Sequence, residues 1–174
     1  MRNDDGDKMN DIPKFMFALR EDLKNDKHFL PSRAEPYATG WDVSCATKDH
    51  KDLVVRPGAY VKIDLGFRVF CPDGWWLKLE PRSSTFTKKS LHSLCGVIDS
   101  SYEGSMAYCG FYSPDVNAMG KDLVIKFGER IGQIIPVLRQ EMIVDEISNG
   151  DYDKFCEKRN GVRKTGGFGS SDVK

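Results

Sequence analysis

A short apolar stretch that ends in a carboxylate is the part of the chain best suited to catalysis. The segment Gly96–Gly104 reads GVIDSSYEG, so two β-branched residues lead directly into Asp99, and an aromatic residue, Tyr102, follows. A glycine at each end predicts a tight β-hairpin whose backbone can approach a ligand closely. A carboxylate at the edge of an apolar sheet can serve as a general base. An ordinary hairpin with a solvated aspartate explains the same residues.

A second segment has the composition of an anion site. Arg82, Ser83 and Ser84 follow a predicted strand and precede a polar stretch, 86–90, that is compatible with a helix. Backbone N–H groups at a helix start, a guanidinium and hydroxyl groups together suit phosphate oxygens. The alternative is that Ser83 or Ser84 simply caps the helix.

Three further places carry polar groups in unusual settings. Gln133 is the uncharged polar residue of an apolar run, where it either satisfies a backbone group or donates its amide to a ligand. Asp42 follows a glycine and an aromatic residue. Near the C-terminus, a glycine-rich segment combines a guanidinium, backbone N–H groups, hydroxyls and one aromatic ring that could stack on a base; composition alone also fits a linker-like end. Its residues are Arg163, Gly166, Gly167, Phe168, Gly169, Ser170 and Ser171.

The composition limits the class of protein. A chain of 174 residues is sufficient for one domain with its own core. Lysine plus arginine and aspartate plus glutamate both number 26, and this zero net charge argues against a general nucleic-acid or membrane-surface binder. The charged N-terminus predicts no signal peptide. Five scattered cysteines and three separated histidines predict reduced thiols in an intracellular protein rather than disulfides or structural zinc.

The elements that must position these residues are predicted to be short strands. The clearest signal is alternation of apolar and polar residues from Val61 to Cys71, which predicts a half-buried strand. Many short strands with turn signals and no long amphipathic helix predict an all-β barrel or sandwich. A short helix is predicted within 144–159. The other predicted strands lie at 14–19, 75–80, 107–112, 123–127 and 130–138, and the segments 25–36 and 113–121 are predicted loops.

Set side by side, five segments resemble the signature motifs of the trimeric dUTP pyrophosphatases (dUTPases) in order, residue type and spacing. The third, Gly96–Gly104, and the fifth, Arg163–Ser171, are the most specific. The second is Pro81–Ser83 and the fourth is Arg130–Ile135. The first, Gly40–Asp42, has tryptophan where the family usually has tyrosine. The resemblance covers residues 15–171.

The resemblance implies a fold and an assembly. It implies a distorted β-barrel or jelly-roll of the dUTPase β-clip type, assembled as a homotrimer. Residues 1–13 would be an N-terminal tail, 14–160 the β domain, and 161–174 a flexible C-terminal arm that closes over a neighbouring subunit's active site. The protein would be cytoplasmic, or nuclear if it comes from a eukaryotic host or virus. A protein inhibitor is not identifiable from the sequence.

The resemblance also implies a reaction, in which dUTP and water give dUMP and pyrophosphate with Mg²⁺ on the triphosphate. Asp99 would activate the water that attacks the α-phosphorus. Asp42 would bind the Mg²⁺ shell through a water, and Tyr102 would pack under the sugar and exclude a 2′-hydroxyl. The residues implied to contact uracil are Ser93, Gly96, Val97, Ile98 and Phe168. The residues implied to bind the phosphates or to close over them are Arg82, Ser83, Ser84, Gln133, Arg163, Gly169, Ser170 and Ser171.

Departures from the family pattern leave alternatives open. Ser84 replaces the usual glycine, and Ser93 stands where many relatives have asparagine near uracil; Ser101 also departs from the pattern. A related enzyme that deaminates dCTP or cleaves both dCTP and dUTP is one alternative. A protein of this fold with a regulatory, protein-binding role is another, for which the long loop 113–121 is the place to look.

Overall fold

The structure is a computed structural model that describes residues 12–114 and 120–159. Within those ranges the chain is built from short strands, two α-helices and two single-turn 3₁₀ helices (Glu21–Leu23 and Lys27–Phe29). The helices are α1 (Ser83–Thr87) and α2 (Asn149–Lys158). The strands are β1 (Met16–Leu19), β2 (Trp41–Ser44), β3 (Leu53–Val55), β4 (Tyr60–Asp64), β5 (Phe67–Phe70), β6 (Trp75–Pro81), β7 (Leu91–Ser93), β8 (Gly96–Ile98), β9 (Ala107–Tyr112), β10 (Leu123–Ile125) and β11 (Arg130–Leu138).

The strands pair antiparallel in four sheets. The largest has the order β2-β11-β6-β8, and a three-stranded sheet has the order β4-β9-β7. Two ribbons, β1-β5 and β3-β10, complete the set. The prediction of an all-β fold is confirmed, and the pairings among the described residues form separate sheets rather than one closed barrel.

The buried apolar side chains form one main core between these sheets. It draws on β4 to β6, on β9 and on β11, with Ile63, Leu65 and Tyr108 among its most deeply buried members. A small second cluster consists of Leu23 and Phe29, one from each 3₁₀ helix, and Ala46.

The alternation at Val61–Cys71 predicts correctly which side chains are buried, but the prediction of a single strand is wrong. Ile63, Leu65 and Phe67 are all buried, yet the chain turns at Gly66 between β4 and β5. Gly66 has φ +77°, and a Cβ there would lie 2.4 Å from a methyl carbon of Leu23, so the position requires glycine. The strands then separate, because β4 pairs with β9 whereas β5 pairs with β1.

The predicted hairpin at Gly96–Gly104 is also corrected. A turn does follow β8, closed by the hydrogen bond from the Tyr102 N–H to the Asp99 carbonyl at 3.0 Å. The next strand, β9, does not return along β8, because it pairs with β4 and β7, whereas β8 pairs with β6. The turn therefore passes the chain from one sheet to another.

The chain divides at Arg139 into two compact units. In the second unit α2 confirms the predicted short helix, and the side chain of Ser148 caps it by accepting the Asp151 N–H at 3.2 Å. All five cysteines are free thiols. Among the described residues, no helix is both long and apolar enough to cross a bilayer.

Candidate active site

Asp42 lies near the centre of a charged cluster on the large sheet. β2 pairs with β11 so that Asp42 is opposite Gln133, and a bridge to Ser32 covers its other side. Asp42 is only 8% exposed. Its carboxylate forms an ion pair with the Arg82 Nε at 3.1 Å and accepts a hydrogen bond from the Arg130 Nη1 at 3.5 Å. A buried carboxylate shared by two guanidinium groups holds both cations at one end of the sheet.

Arg82 joins the end of β6 to the start of α1. Its backbone is extended (φ −76°, ψ 151°), and it occupies the N-cap position without a side-chain cap bond. Ser83 and Ser84 begin the helix and do not cap it, so the capping alternative is not supported by the structure. The helix is anchored to β11 by Thr85, whose buried hydroxyl donates to the Ile131 carbonyl at 2.7 Å.

Gln133 links the first, second and fourth motifs. Its Nε2 donates to the Pro81 carbonyl at 3.0 Å, which answers the question left open by the sequence, because the amide does satisfy a backbone group. Its Oε1 would lie 1.9 Å from a Cβ built on Gly40. Only glycine fits at position 40 with this side chain in place.

Asp42, Arg82 and Gln133, together with α1, thus form a polar corner that we call the phosphate half-site, after the role that the family resemblance implies. It contains two guanidinium groups, and a short ion pair from Lys89 to Glu129 (2.7 Å) ties the segment after α1 to the turn before β11. Sequence reasoning named Arg82 and Gln133 but assigned no role to Arg130 or Lys89. The sequence did contain a signal for Arg130, because this arginine is the first residue of the fourth motif.

The second group of predicted residues lies along β8 and the turn that follows it, and we call it the base half-site, after the role that the family resemblance implies. β8 is the end strand of the large sheet, and its backbone pairs with β6 along one edge. No described strand pairs with its other edge, so the N–H and C=O groups of Gly96–Ile98 are available there to a ligand. Gly96 is required by close packing, since a Cβ would lie 2.8 Å from the Leu79 Cβ.

Asp99 and Tyr102 are both exposed at the end of β8. The Tyr102 hydroxyl donates to the Ser105 carbonyl at 3.0 Å, and the ring lies over Gly104, where a Cβ would be 2.4 Å from the phenol oxygen. Steric conflict with the Tyr102 side chain therefore explains why the motif has glycine at position 104. The aromatic face and the carboxylate are fixed by one turn and are open to solvent.

The two half-sites lie at different places on the same sheet. Ile98 is opposite Leu77, so Asp99 lies beside the start of β6, whereas Arg82 follows the end of β6. At about 3.3 Å per residue, the strand from Leu77 to Arg82 spans about 16 Å, too far for one water and one phosphate to bridge. Within one chain, the structure brings Asp42, Arg82 and Gln133 together but does not bring Asp99 to them.

Ser93 ends β7, opposite Gly110, and is half-buried beside a cleft of about 550 Å³. The fifth-motif residues predicted to bind substrate (Arg163, Phe168, Gly169, Ser170 and Ser171) lie outside the described residues.

The fold and site define an all-β protein with two arginines paired to a buried aspartate and an end strand whose outer edge is unpaired among the described residues. The family model of the dUTPases matches residues 26–171. The chain is 32% identical over 149 residues to the deoxyuridine 5′-triphosphate nucleotidohydrolase of Arabidopsis thaliana, covering 86% of this chain and 80% of that protein.

Solved structures agree with that match. The dUTPase of Streptococcus mutans superposes with a TM-score of 0.62 and 26% identity, covering 74% of this chain and 98% of that one. The Staphylococcus bacteriophage 80alpha dUTPase with dUPNHPP gives a TM-score of 0.70 and 20% identity over 90% of this chain and 97% of that one, which shows the shared fold. The chain belongs to the dUTPase family.

Proposed function

We propose that this protein hydrolyses dUTP to dUMP and pyrophosphate in a Mg²⁺-dependent reaction. The observation that carries the proposal is the pair of complementary half-sites. One supplies cations and amide groups for phosphates, and the other supplies a free backbone edge, an aromatic face and a carboxylate. Family membership supplies the reaction class, and the residues of both half-sites match it.

Asp99 is the proposed general base. A water positioned by its carboxylate attacks the α-phosphorus, a P–O bond forms, the bond to the bridging oxygen breaks, and pyrophosphate leaves. The proton of the water passes to Asp99. The exposure of Asp99 at the end of β8 supports this role, because substrate and water can reach it from solvent.

The base half-site is proposed to select deoxyuridine. The unpaired edge of Gly96–Ile98 offers fixed N–H and C=O groups that distinguish the edge of uracil from that of cytosine, and Ser93 adds a hydroxyl. Tyr102 packs under the sugar and leaves no room for a 2′-hydroxyl. Phe168, from the C-terminal arm, is proposed to stack on the base.

The phosphate half-site is proposed to hold the triphosphate. Arg82, Ser83, Ser84 and Gln133 bind its oxygens, and catalysis then depends on positioning and on stabilisation of developing charge. Arg163 neutralises the γ-phosphate. The arm residues Gly169, Ser170 and Ser171 close over the chain of phosphates, which excludes bulk water.

Mg²⁺ fits this chain as an ion held mainly by the substrate. Direct ligation by Asp42 is disfavoured because each of its oxygens already lies in an ion pair with a guanidinium group. A carboxylate has about four lone-pair sites, so Asp42 retains capacity to accept from a water of the Mg²⁺ shell. When bound, the ion would neutralise phosphate charge and polarise the reacting phosphate.

We propose a homotrimer, as membership of the dUTPase family implies. Because Asp99 and Arg82 lie near opposite ends of β6, about 16 Å apart along the strand, we propose that each active site combines half-sites from neighbouring subunits. The C-terminal arm would come from a further neighbour. Five free thiols support an intracellular, cytoplasmic location.

Pyrophosphate release from dUTP, dCTP, dTTP and UTP in the presence of Mg²⁺ tests the proposal. We expect cleavage of dUTP and very little of the other three. Comparable cleavage of dCTP would instead favour the alternative of a less selective relative. If none of the four is cleaved, the proposed reaction is wrong and the regulatory, protein-binding alternative takes its place.

A further inference from the structure

The two arginines of the phosphate half-site are carried by different elements. Arg82 precedes α1, whereas Arg130 is the first residue of β11. The contacts that Arg130 makes here are long, because its carbonyl accepts from the Arg82 Nη1 at 3.5 Å and its own Nη1 donates to Asp42 at 3.5 Å. Hydrogen bonds of this length are weak. Shorter contacts elsewhere are therefore needed to fix the two guanidinium groups relative to each other.

Helix α1 is anchored to the start of β11 at two points, one on each side of Arg130. The buried hydroxyl of Thr85 donates to the Ile131 carbonyl at 2.7 Å. Beyond the end of the helix, the Lys89 Nζ lies 2.7 Å from the Glu129 Oε1. A helix of five residues is not stable alone, so these tertiary contacts hold α1 in place. The two contacts end on the residues directly before and after Arg130.

The turn that carries Glu129 is itself held by hydrogen bonds. It spans residues 126–129, and the Glu129 carbonyl accepts from the Cys45 N–H at 2.8 Å. The Glu129 Oε2 accepts from the Lys126 N–H at 3.0 Å. One carboxylate oxygen thus closes the turn while the other pairs with Lys89. Lys89 is therefore attached to a well-fixed point beside β11.

The ion pair between Lys89 and Glu129 is partly shielded from water. Its side chains are 21% and 28% exposed, whereas those of the surface pair between Lys24 and Glu21 are 64% and 85% exposed. Exposed pairs contribute little to stability, and partial burial reduces screening by water and salt. Removal of one partner of the shielded pair would also leave the other charge partly buried and unpaired.

We propose that Lys89 and Glu129 are positioning residues for the triphosphate, because their ion pair holds α1 against β11 so that Arg82 and Arg130 present a preset pair of cations. Neither Lys89 nor Glu129 needs to touch the ligand. Preorganised groups bind more tightly than groups that must first be ordered, and the gain is largest for the ligand with the most phosphate contacts. This inference rests on the proposed function of the same site.

The test compares binding of the imido analogue of dUTP with binding of dUMP to the full-length protein in the presence of Mg²⁺. The ratio of the Kd for dUMP to the Kd for the analogue measures how much the additional phosphates contribute. We expect Lys89→Met to lower this ratio about three- to tenfold, because the arginines lose their preset arrangement. Lys89→Arg keeps the charge and should retain most of the ratio. A lower midpoint of thermal unfolding with an unchanged ratio in Lys89→Met would show a purely structural ion pair and would overturn the proposal.

Glu129→Gln separates positioning from simple attraction between charges. This variant removes a negative charge from the turn before Arg130, so attraction alone would strengthen binding of the triphosphate and raise the ratio. If the ion pair positions the arginines, the ratio should instead fall, although the amide oxygen can still accept from the Lys126 N–H. The double variant with Lys89→Met should lose little more than either single variant, as expected for two partners of one contact. A ratio in Glu129→Gln equal to or above the wild-type value would overturn the proposal.

Lys24→Met and Glu21→Gln are the matched controls, because they make the same changes of charge in an exposed ion pair. Both should keep the wild-type ratio, and a shift as large as that in Lys89→Met would show an effect of net charge and contradict the proposal. If Lys89→Met folds poorly, Glu129→Gln decides the question. If the wild type binds the analogue without cleaving dUTP, the proposed reaction fails, while the ratio of Kd values still tests Lys89 and Glu129.

Discussion

Asp99 is placed so that its chemistry can be tested apart from folding. Its side chain is exposed, and the hydrogen bond that closes the turn uses its backbone carbonyl rather than its carboxylate. Asp42 is the opposite case, because it is buried and paired with two arginines. Removing its charge would leave those arginines without their partner and would change the structure and the catalytic site together.

Asp99→Asn should therefore fold normally, bind the dUTP imido analogue with nearly wild-type affinity, and lose kcat by about a hundred- to ten-thousand-fold. Glu103→Gln, an exposed carboxylate in the same region, is the control and should keep its activity. Single-turnover pyrophosphate release is the measurement. Retention of wild-type kcat by Asp99→Asn would show that another group accepts the proton.

At the scale of elements, the contact between Gly40 and Gln133 connects sequence to site most directly. The residue before β2 has no side chain, the Gln133 amide on β11 fills that space, and the same amide holds the end of β6 at Pro81. One side chain of the phosphate half-site thus contacts the segments at the ends of two neighbouring strands, β2 and β6.

Gly40→Ala should disturb this contact. A methyl group 1.9 Å from Oε1 forces Gln133 to move, at a cost of about 1–3 kcal/mol in stability. Loss of one phosphate contact would raise KM for dUTP about tenfold. Gly150→Ala in α2 is the matched control, because the nearest atom to its new Cβ is 3.9 Å away. Thermal unfolding and steady-state kinetics of both variants check this, and a wild-type KM in Gly40→Ala would exclude Gln133 from substrate binding.

The elements also show where prediction from sequence succeeded and where it failed. β6 and β11 follow from local signals, namely apolar runs and turn residues, and α2 lies within the predicted helical segment 144–159. The break at Gly66 was not predicted because both neighbouring strands continue the same alternation. The predicted hairpin at Gly96–Gly104 does not form, because strand pairing depends on residues far apart in the sequence. β9 pairs with two strands, β4 and β7, whereas a hairpin would have paired it with β8.

At the scale of the whole molecule, the sequence names candidate residues but not their geometry. The five motifs point to Asp42, Arg82, Asp99 and Gln133 through the family resemblance, yet nothing in their spacing indicates that Asp99 lies away from the other three in one chain. The ion pair that Lys89 forms with the turn before β11 could not be predicted at all, because its two partners lie far apart in the sequence. It becomes visible only once α1 is packed against β11.

The separation of the half-sites makes one further prediction, about the C-terminal arm and subunit sharing. Removal of residues 160–174 should lower kcat/KM for dUTP by about a hundredfold or more, since the proposed arm contacts position the phosphates. Light scattering should give the same trimeric mass for the truncated and full-length proteins. A truncated protein with full activity would show that the arm does not take part in catalysis.

Co-expression then tests where the arm acts. A truncated chain lacks the arm but keeps Asp99, whereas a full-length Asp99→Asn chain has the arm but lacks the base, so each should be nearly inactive alone. If sites are shared, mixed trimers place the arm of one chain over the Asp99 of another, and part of the activity returns. Two differently tagged chains, purified through both tags, isolate these mixed trimers. Activity no higher than the sum of the separate variants would mean that each arm serves its own chain, and the shared-site assembly proposed here would be wrong.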